Sequence, residues 1–134
     1  MTVWPSAAGQ WSGMTVTRFQ DLPLADRSRE WDGAAAESRV REWADAEDAP
    51  DSAYRDAHLW YDGDEPQNFG SYKLLIADVI DGKLHVVPRA VMAAGGVMQG
   101  ARGGVDIPKD DVGRVKAHLA KYYDKMGETA PWDR

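Results

Sequence analysis

There is no cysteine among the 134 residues. That excludes disulfides and thiolate chemistry and leaves a zinc ion only histidine and carboxylate ligands. A reducing compartment fits this composition without being demanded by it. No apolar run approaches the roughly eighteen residues that a membrane-spanning helix needs, so no membrane partner is expected. No basic-then-apolar leader opens the chain, and the expectation is a soluble protein made in the cytoplasm. Positive charge is the minority sign, with 16 Lys and Arg against 22 Asp and Glu and a net charge of −6. Such a chain lacks the basic footprint of a nucleic-acid binder, and nucleic acid is disfavoured as a partner. The lysines Lys116, Lys121 and Lys125 near the C-terminus are its one argument in favour.

What is present is aromatic and acidic. Six tryptophans, Trp4, Trp11, Trp31, Trp43, Trp60 and Trp132, are spread over the whole chain, and rings of that size dominate cores and interfaces alike. Asp45, Glu47, Asp48, Asp51, Asp56, Asp62, Asp64 and Glu65 crowd one stretch. A solvated acidic loop is the plain reading of it, and attraction to a basic partner surface is the other. The length suits one domain able to bury roughly two thirds of its unfolded surface.

Residues 1–30 read as an N-terminal arm. Pro5, Gly9, Gly13 and Pro23 punctuate it, and Met14 to Phe19 has weak strand character. Trp4, Trp11 and Phe19 are too aromatic for a disordered tail and predict docking on the domain itself or on a neighbour. A first helix is predicted from Asp32 to about Ala46, capped by Asp32 and burying Ala36, Val40 and Trp43. The polar stretch 47–70 predicts at most a short helix or turn around Ser52 to Trp60. Leu74, Ile76, Val79 and Ile80, then Asp81-Gly82, then Leu84, Val86 and Val87 predict a β-hairpin with a type I′ turn, whose two central residues both need positive φ. A lone hairpin is marginal in water, so this one must pack on helices or pair with another strand, from the arm or from a partner. Pro88 opens a helix of small residues, ended by the glycine-rich loop around Arg102. Pro108 opens the last helix, whose Val112, Val115, Leu119, Tyr122 or Tyr123, and Met126 step along one face, with Gly127 as its terminator.

No catalytic motif stands out. His58, His85 and His118 sit in no nucleophile-elbow context, and each reads as an ordinary surface or half-buried histidine. Asp62-Gly-Asp64-Glu65 starts like a calcium loop, but Pro66 breaks the ligand spacing. The run from Gly95 to Gly104 has Ala101-Arg102 where a phosphate loop needs Lys and Ser or Thr, so it reads as a helix-ending loop, with Arg102 as a group for a partner's carboxylate or phosphate. Asp81 is explained by the turn, and Asp110 with Asp111 by a helix start. Asp78 has no such explanation. No catalytic residue, metal site or cofactor is expected.

The segments F-Q-D-L-P-L-A-D-R (Phe19 to Arg27), W-D-G-A-A-A (Trp31 to Ala36), the pair Trp43-Ala44, G-S-Y-K-L-L-I-A-D-V-I-D-G-K-L (Gly70 to Leu84) and Q-G-A-R-G-G-V-D-I-P (Gln99 to Pro108) occur in that order. In this wording the chain resembles a head-morphogenesis module of tailed bacteriophages and prophages, one found attached to or encoded near prohead proteases. The resemblance covers about residues 19–127. The family usually has proline where this chain has Leu75, which leaves the strand uninterrupted. Nothing matches the protease domain, so proteolysis is not implied.

The expected fold is α+β: a small domain, residues 31–134, of two to three helices packed with a β-hairpin, plus the extended arm. The resemblance implies a non-enzymatic phage head protein of the virion, a minor capsid or decoration subunit. Its partners would be the major capsid protein or other head proteins, with self-association on the lattice left open. The alternative is a transient adaptor or regulator acting with the prohead protease or scaffold. Partner contacts are assigned to Trp4, Trp11, Phe19 and Arg102. Trp4→Ala combined with Trp11→Ala is expected to weaken particle binding, measured by co-sedimentation, with the thermal transition nearly unchanged. An equal loss of folding stability would place these rings in the domain's own core instead.

Overall fold

The computed structural model describes residues 15–17, 19–46, 48–101 and 104–133. The described residues form four α-helices, a three-stranded sheet and a separate two-stranded hairpin, an α+β domain. Helix α1 is Gly33–Trp43, and the Asp32 carboxylate accepts from the Ala35 N–H at 3.2 Å to cap it. Helix α2 is one turn, Ser52–Arg55, capped in the same way by Asp51 on the Tyr54 N–H. Helix α3, Pro88–Met98, and helix α4, Lys109–Lys125, pack on each other.

Strand β1, Thr15–Val16, pairs antiparallel with β2, His58–Tyr61, which pairs antiparallel with β3, Tyr72–Leu75. Strands β4, Ala77–Ile80, and β5, Lys83–Val86, form the hairpin. Its turn residues Asp81 and Gly82 have φ of 54° and 77°, the type I′ geometry that the Asp-Gly pair predicts. The strand expected from Leu74 to Ile80 is in fact two. The chain leaves one sheet for the other at buried Ile76, whose N–H donates to Ala57 O and whose carbonyl accepts from the Val87 N–H.

The three-stranded sheet was not foreseen. Residues 58–60 are buried in succession, and such a short apolar run does not distinguish strand from helix by periodicity. The short helix or turn expected around Ser52 to Trp60 is a helix only to Arg55, and from His58 the chain is β2. Trp43 needs a correction too. Ala36 and Val40 are buried beneath α1, but Trp43 is 37% exposed and its indole N–H donates to Gly82 O at 2.9 Å. The stripe that buries Ala36 and Val40 reaches the hairpin's turn by Trp43, past the edge of the packed ladder.

The described parts of the arm, residues 15–17 and 19–30, lie against the domain. It supplies β1, then runs along the end of α4, where Lys125 Nζ holds the Asp21 carboxylate (2.9 Å) and the Leu22 carbonyl (2.8 Å). It then bridges β5 through Leu24 and Val86, with Ala25 N–H to Val86 O and Val86 N–H to Pro23 O, each 2.8 Å. The arm thus covers a hairpin edge. Helix α4 ends as Gly127 predicts: φ is 76°, the Gly127 N–H meets Asp124 O and the Glu128 N–H meets Tyr123 O, a Schellman arrangement. Gly95 of α3 sits directly under the Tyr123 hydroxyl, where any β-carbon would collide.

Asp78, unexplained by sequence, is the polar centre of this packing. It lies on β4 and is 2% exposed. Arg39 of α1 donates twice to it, at 2.8 and 2.7 Å, Arg29 of the arm donates at 3.1 Å, and the Val79 N–H at 2.7 Å. Burial pushes its carboxyl pKa up, but the hydrogen bonds from Arg39, Arg29 and Val79 outweigh that and hold it at about 2. Removing one side of a buried ion pair costs about 3 kcal/mol or more. Because the Arg29 and Arg39 side chains are a third to a half exposed and can be partly re-solvated, Asp78→Ala is expected to cost about 2–3 kcal/mol. Urea unfolding of the variant checks this; a loss below about 0.5 kcal/mol would mean that the pairing does not hold the fold.

Candidate binding groove

Of the residues assigned to partner contacts, Trp4, Trp11 and Arg102 lie outside the described residues. Phe19 is half-buried on its own domain. Its ring lies 4.8 Å from Tyr122 and 5.7 Å, edge-on, from His118, with Lys121 Nζ 5.0 Å from its centroid.

The carboxylates of Asp62, Asp64 and Glu65 rim a 540 Å³ cavity floored by Trp60, Ile107 and Pro108. Lys73 crosses it to donate to Asp106 O at 2.8 Å. Among the described residues, no three His, Asp or Glu side chains are placed to hold a metal ion.

Two of the histidines are buried, where ordinary surface or half-buried groups were expected. His118 is 8% exposed, and its Nδ1 bonds the Thr17 carbonyl at 2.9 Å. His58 is 4% exposed, and its Nδ1 bonds the Tyr54 carbonyl at 3.0 Å. A carbonyl only accepts, so each Nδ1 carries the proton and each Nε2 keeps a lone pair. Thr17 joins the two sites, because its hydroxyl donates to the His58 carbonyl at 2.6 Å. Burial pushes both imidazoles down to about 4.

His58 is also part of a second, larger concavity of 660 Å³ between the first two turns of α1 and strand β3. Trp31, Tyr54, Phe69 and Tyr72 supply its rings, Leu74 and Leu75 its aliphatic wall, and Glu37 and Ser38 its polar rim. The rings pack on one another: Tyr54 lies 4.7 Å from His58, and meets Phe69 at 5.1 Å and Tyr72 at 5.2 Å edge-on. The Tyr54 hydroxyl donates to Glu37 Oε2 at 2.9 Å. Burial, and then the Glu37 carboxylate, push the Tyr54 phenol well above its usual range; burial raises Tyr72 as well. Arg41 lies over Phe69 at 3.7 Å and 3.7 Å from Glu37, so the charges at that end are already matched. Leu74 has φ of 63°, a left-handed conformation that costs a residue with a side chain about 1–2 kcal/mol.

A concavity of this size, lined by rings with a few polar groups and with shifted titratable side chains, has the character of a ligand site. Sequence reasoning missed it. Tyr54 and His58, four residues apart, were the only local hint, and nothing in the sequence marks Leu74. No family model, no curated protein and no solved structure matches the chain.

Because both buried imidazoles are neutral when folded and protonate near 6.5 when unfolded, the unfolded chain binds more protons between about pH 6.5 and 4. Stability therefore falls as pH drops through that window, by on the order of 2–3 kcal/mol per histidine. Asp78 adds its loss only below about pH 4, as the pH falls towards 2. Urea titrations at stepped pH are expected to show the first decline by pH 5. A profile flat from pH 7 to 4.5 would mean that both rings are solvated.

Proposed function

We propose that the chain is a non-enzymatic structural protein of a tailed-phage head, a minor capsid or decoration subunit that binds the capsid lattice. The observation that supports this reading is a convergence. Two of the segments by which the chain resembles the phage module, W-D-G-A-A-A and G-S-Y-K-L-L, meet across the 660 Å³ groove. The first brings Trp31, Gly33 and Ala34 to one wall, and the second brings Gly70, Tyr72, Leu74 and Leu75 to the other. Segments far apart in the chain thereby share one surface, beside the core positions that Ala36 and Tyr72 fill.

The mechanism is additive burial. A groove of this kind makes a modest contact by itself, and repetition over a lattice multiplies its effect without new contacts. Strand addition to the hairpin at Val86 is not part of it, because Pro23 and Ala25 take that edge. The net charge of −6 disfavours a role on packaged DNA.

Quantitative mass spectrometry of gradient-purified particles from the phage or prophage encoding the chain tests the proposal. A copy number comparable with that of the major capsid protein is expected. Presence in proheads with absence from mature particles would overturn the structural role in favour of a transient assembly adaptor.

A further inference from the structure

The 540 Å³ acidic cavity is built by the β2–β3 ladder. The Asp62 N–H donates to Ser71 O at 2.9 Å, which carries the register one pair beyond Tyr61 and Tyr72. Successive side chains of a strand point to opposite faces. Tyr61 and Tyr72 stack on one face, 5.4 Å apart, so Trp60 with Lys73 and Asp62 with Ser71 share the other. These four residues line the cavity, and neither tyrosine does. Ser71 is only 8% exposed, and its hydroxyl has no hydrogen-bond partner among the described residues. The hydroxyl is open to the cavity rather than sealed in the core. A nearly buried polar group of this kind is costly until something meets it.

Charge decides what that is. Asp62, Asp64, Glu65 and Asp106 line the cavity against one cation, Lys73, whose ammonium donates to Asp106 O. Among the described residues, no lysine or arginine forms an ion pair with any of the four carboxylates. The Trp60 indole N–H is spent on Asp111, and the Asn68 amide at the rim is neutral, both donor and acceptor. The surplus of carboxylates repels an anion. A bare metal ion lacks a cage, because no three carboxylates or histidines converge among the described residues. Acceptors that stand apart suit a guanidinium, which spreads five N–H donors over a plane, better than the point charge of an ammonium.

We propose that this cavity binds an arginine side chain presented by a basic segment of a partner protein, its guanidinium donating to the Ser71 hydroxyl and to the Asp62 and Glu65 carboxylates. Ile107 and Pro108 are partly exposed in the lining and offer apolar surface to the methylene stem. Charge complementarity makes the occupant part of a protein chain. Asp64 and Glu65 stand exposed at the rim, and a free amino acid would bring its own carboxylate to them. A residue inside a chain brings none. The inference stands on the cavity alone and is independent of the phage reading, because it is tested on the isolated chain.

The test is an NMR titration of the isotope-labelled full chain with N-acetyl-arginine amide, following the amides of Asp64, Ser71 and Ile107. Saturable shifts at all three are expected. N-acetyl-citrulline amide, which keeps the shape and loses the charge, is expected to bind about tenfold more weakly or worse, and N-acetyl-lysine amide about three- to tenfold more weakly. Free arginine should bind more weakly than the blocked probe. Ser71→Ala leaves every charge in place and should cost the arginine probe about three- to tenfold in affinity, which a diffuse acidic surface would not show. Asp64→Asn with Glu65→Gln alters only exposed rim groups and should weaken the probe about tenfold in a chain whose spectrum stays folded. Absence of saturable shifts, equal affinity for the citrulline or lysine probe, tighter binding of free arginine, or unchanged affinity in either variant would each overturn the proposal.

Discussion

One carboxylate holds three parts of this chain in place. Asp78 sits on β4 with almost no exposure, and the groups that neutralise it come from α1 and from the arm. A buried aspartate is tolerated only where charge and hydrogen bonds are supplied to it. The sequence supplies them from residues 49 and 39 positions earlier in the chain. Burying the hairpin face that carries Asp78 therefore requires α1 and Arg29 to be docked at the same time. The hairpin cannot pack without them, and the arm has a polar reason to lie where it does.

The groove follows from that arrangement. Helix α1 is fixed over β4 by Arg39, and Ala36 and Val40 beneath it leave no room to slide. Its first turns then overhang β3, where the chain is switching sheets at Ile76. The opening between them is lined by Tyr54, His58 and Tyr72; Tyr72 meets both other rings edge-on, and Tyr54 meets His58 at a tilt. Two further ties hold the opposite side: Thr17 links β1 to both buried histidines, and the Trp60 indole donates to the buried Asp111 carboxylate of α4 at 2.9 Å. The rigid parts of the domain are polar at their joints and apolar between them.

Much of this was legible in the residues. The capped α1, the type I′ turn at Asp81-Gly82, the proline-opened α3 and the glycine-ended α4 all follow from local stereochemistry, and each is present. What local pattern could not carry is long-range. His58 to Trp60 is a strand only because Tyr72 to Leu75 and Thr15-Val16 flank it. Trp43 is exposed only because the hairpin ladder ends beneath it, and Asp78 makes sense only once Arg29 and Arg39 arrive. The groove belongs to this second class. Tyr54, His58, Trp31 and Leu74 sit on different elements, and their proximity is a product of the fold rather than of any spacing.

The account claims that arm, α1 and hairpin form one cooperative unit closed around Asp78. Native-state hydrogen exchange tests this most directly, read at the amides of Ala25 in the arm, Ala44 at the end of α1 and Val87 just after β5, each hydrogen-bonded in the fold. The account predicts one shared opening free energy for the three, lowered together in Asp78→Asn. Ala25 exchanging at unprotected rates while Ala44 and Val87 stay protected would contradict it, because the arm would then be an attachment and not a part of the unit.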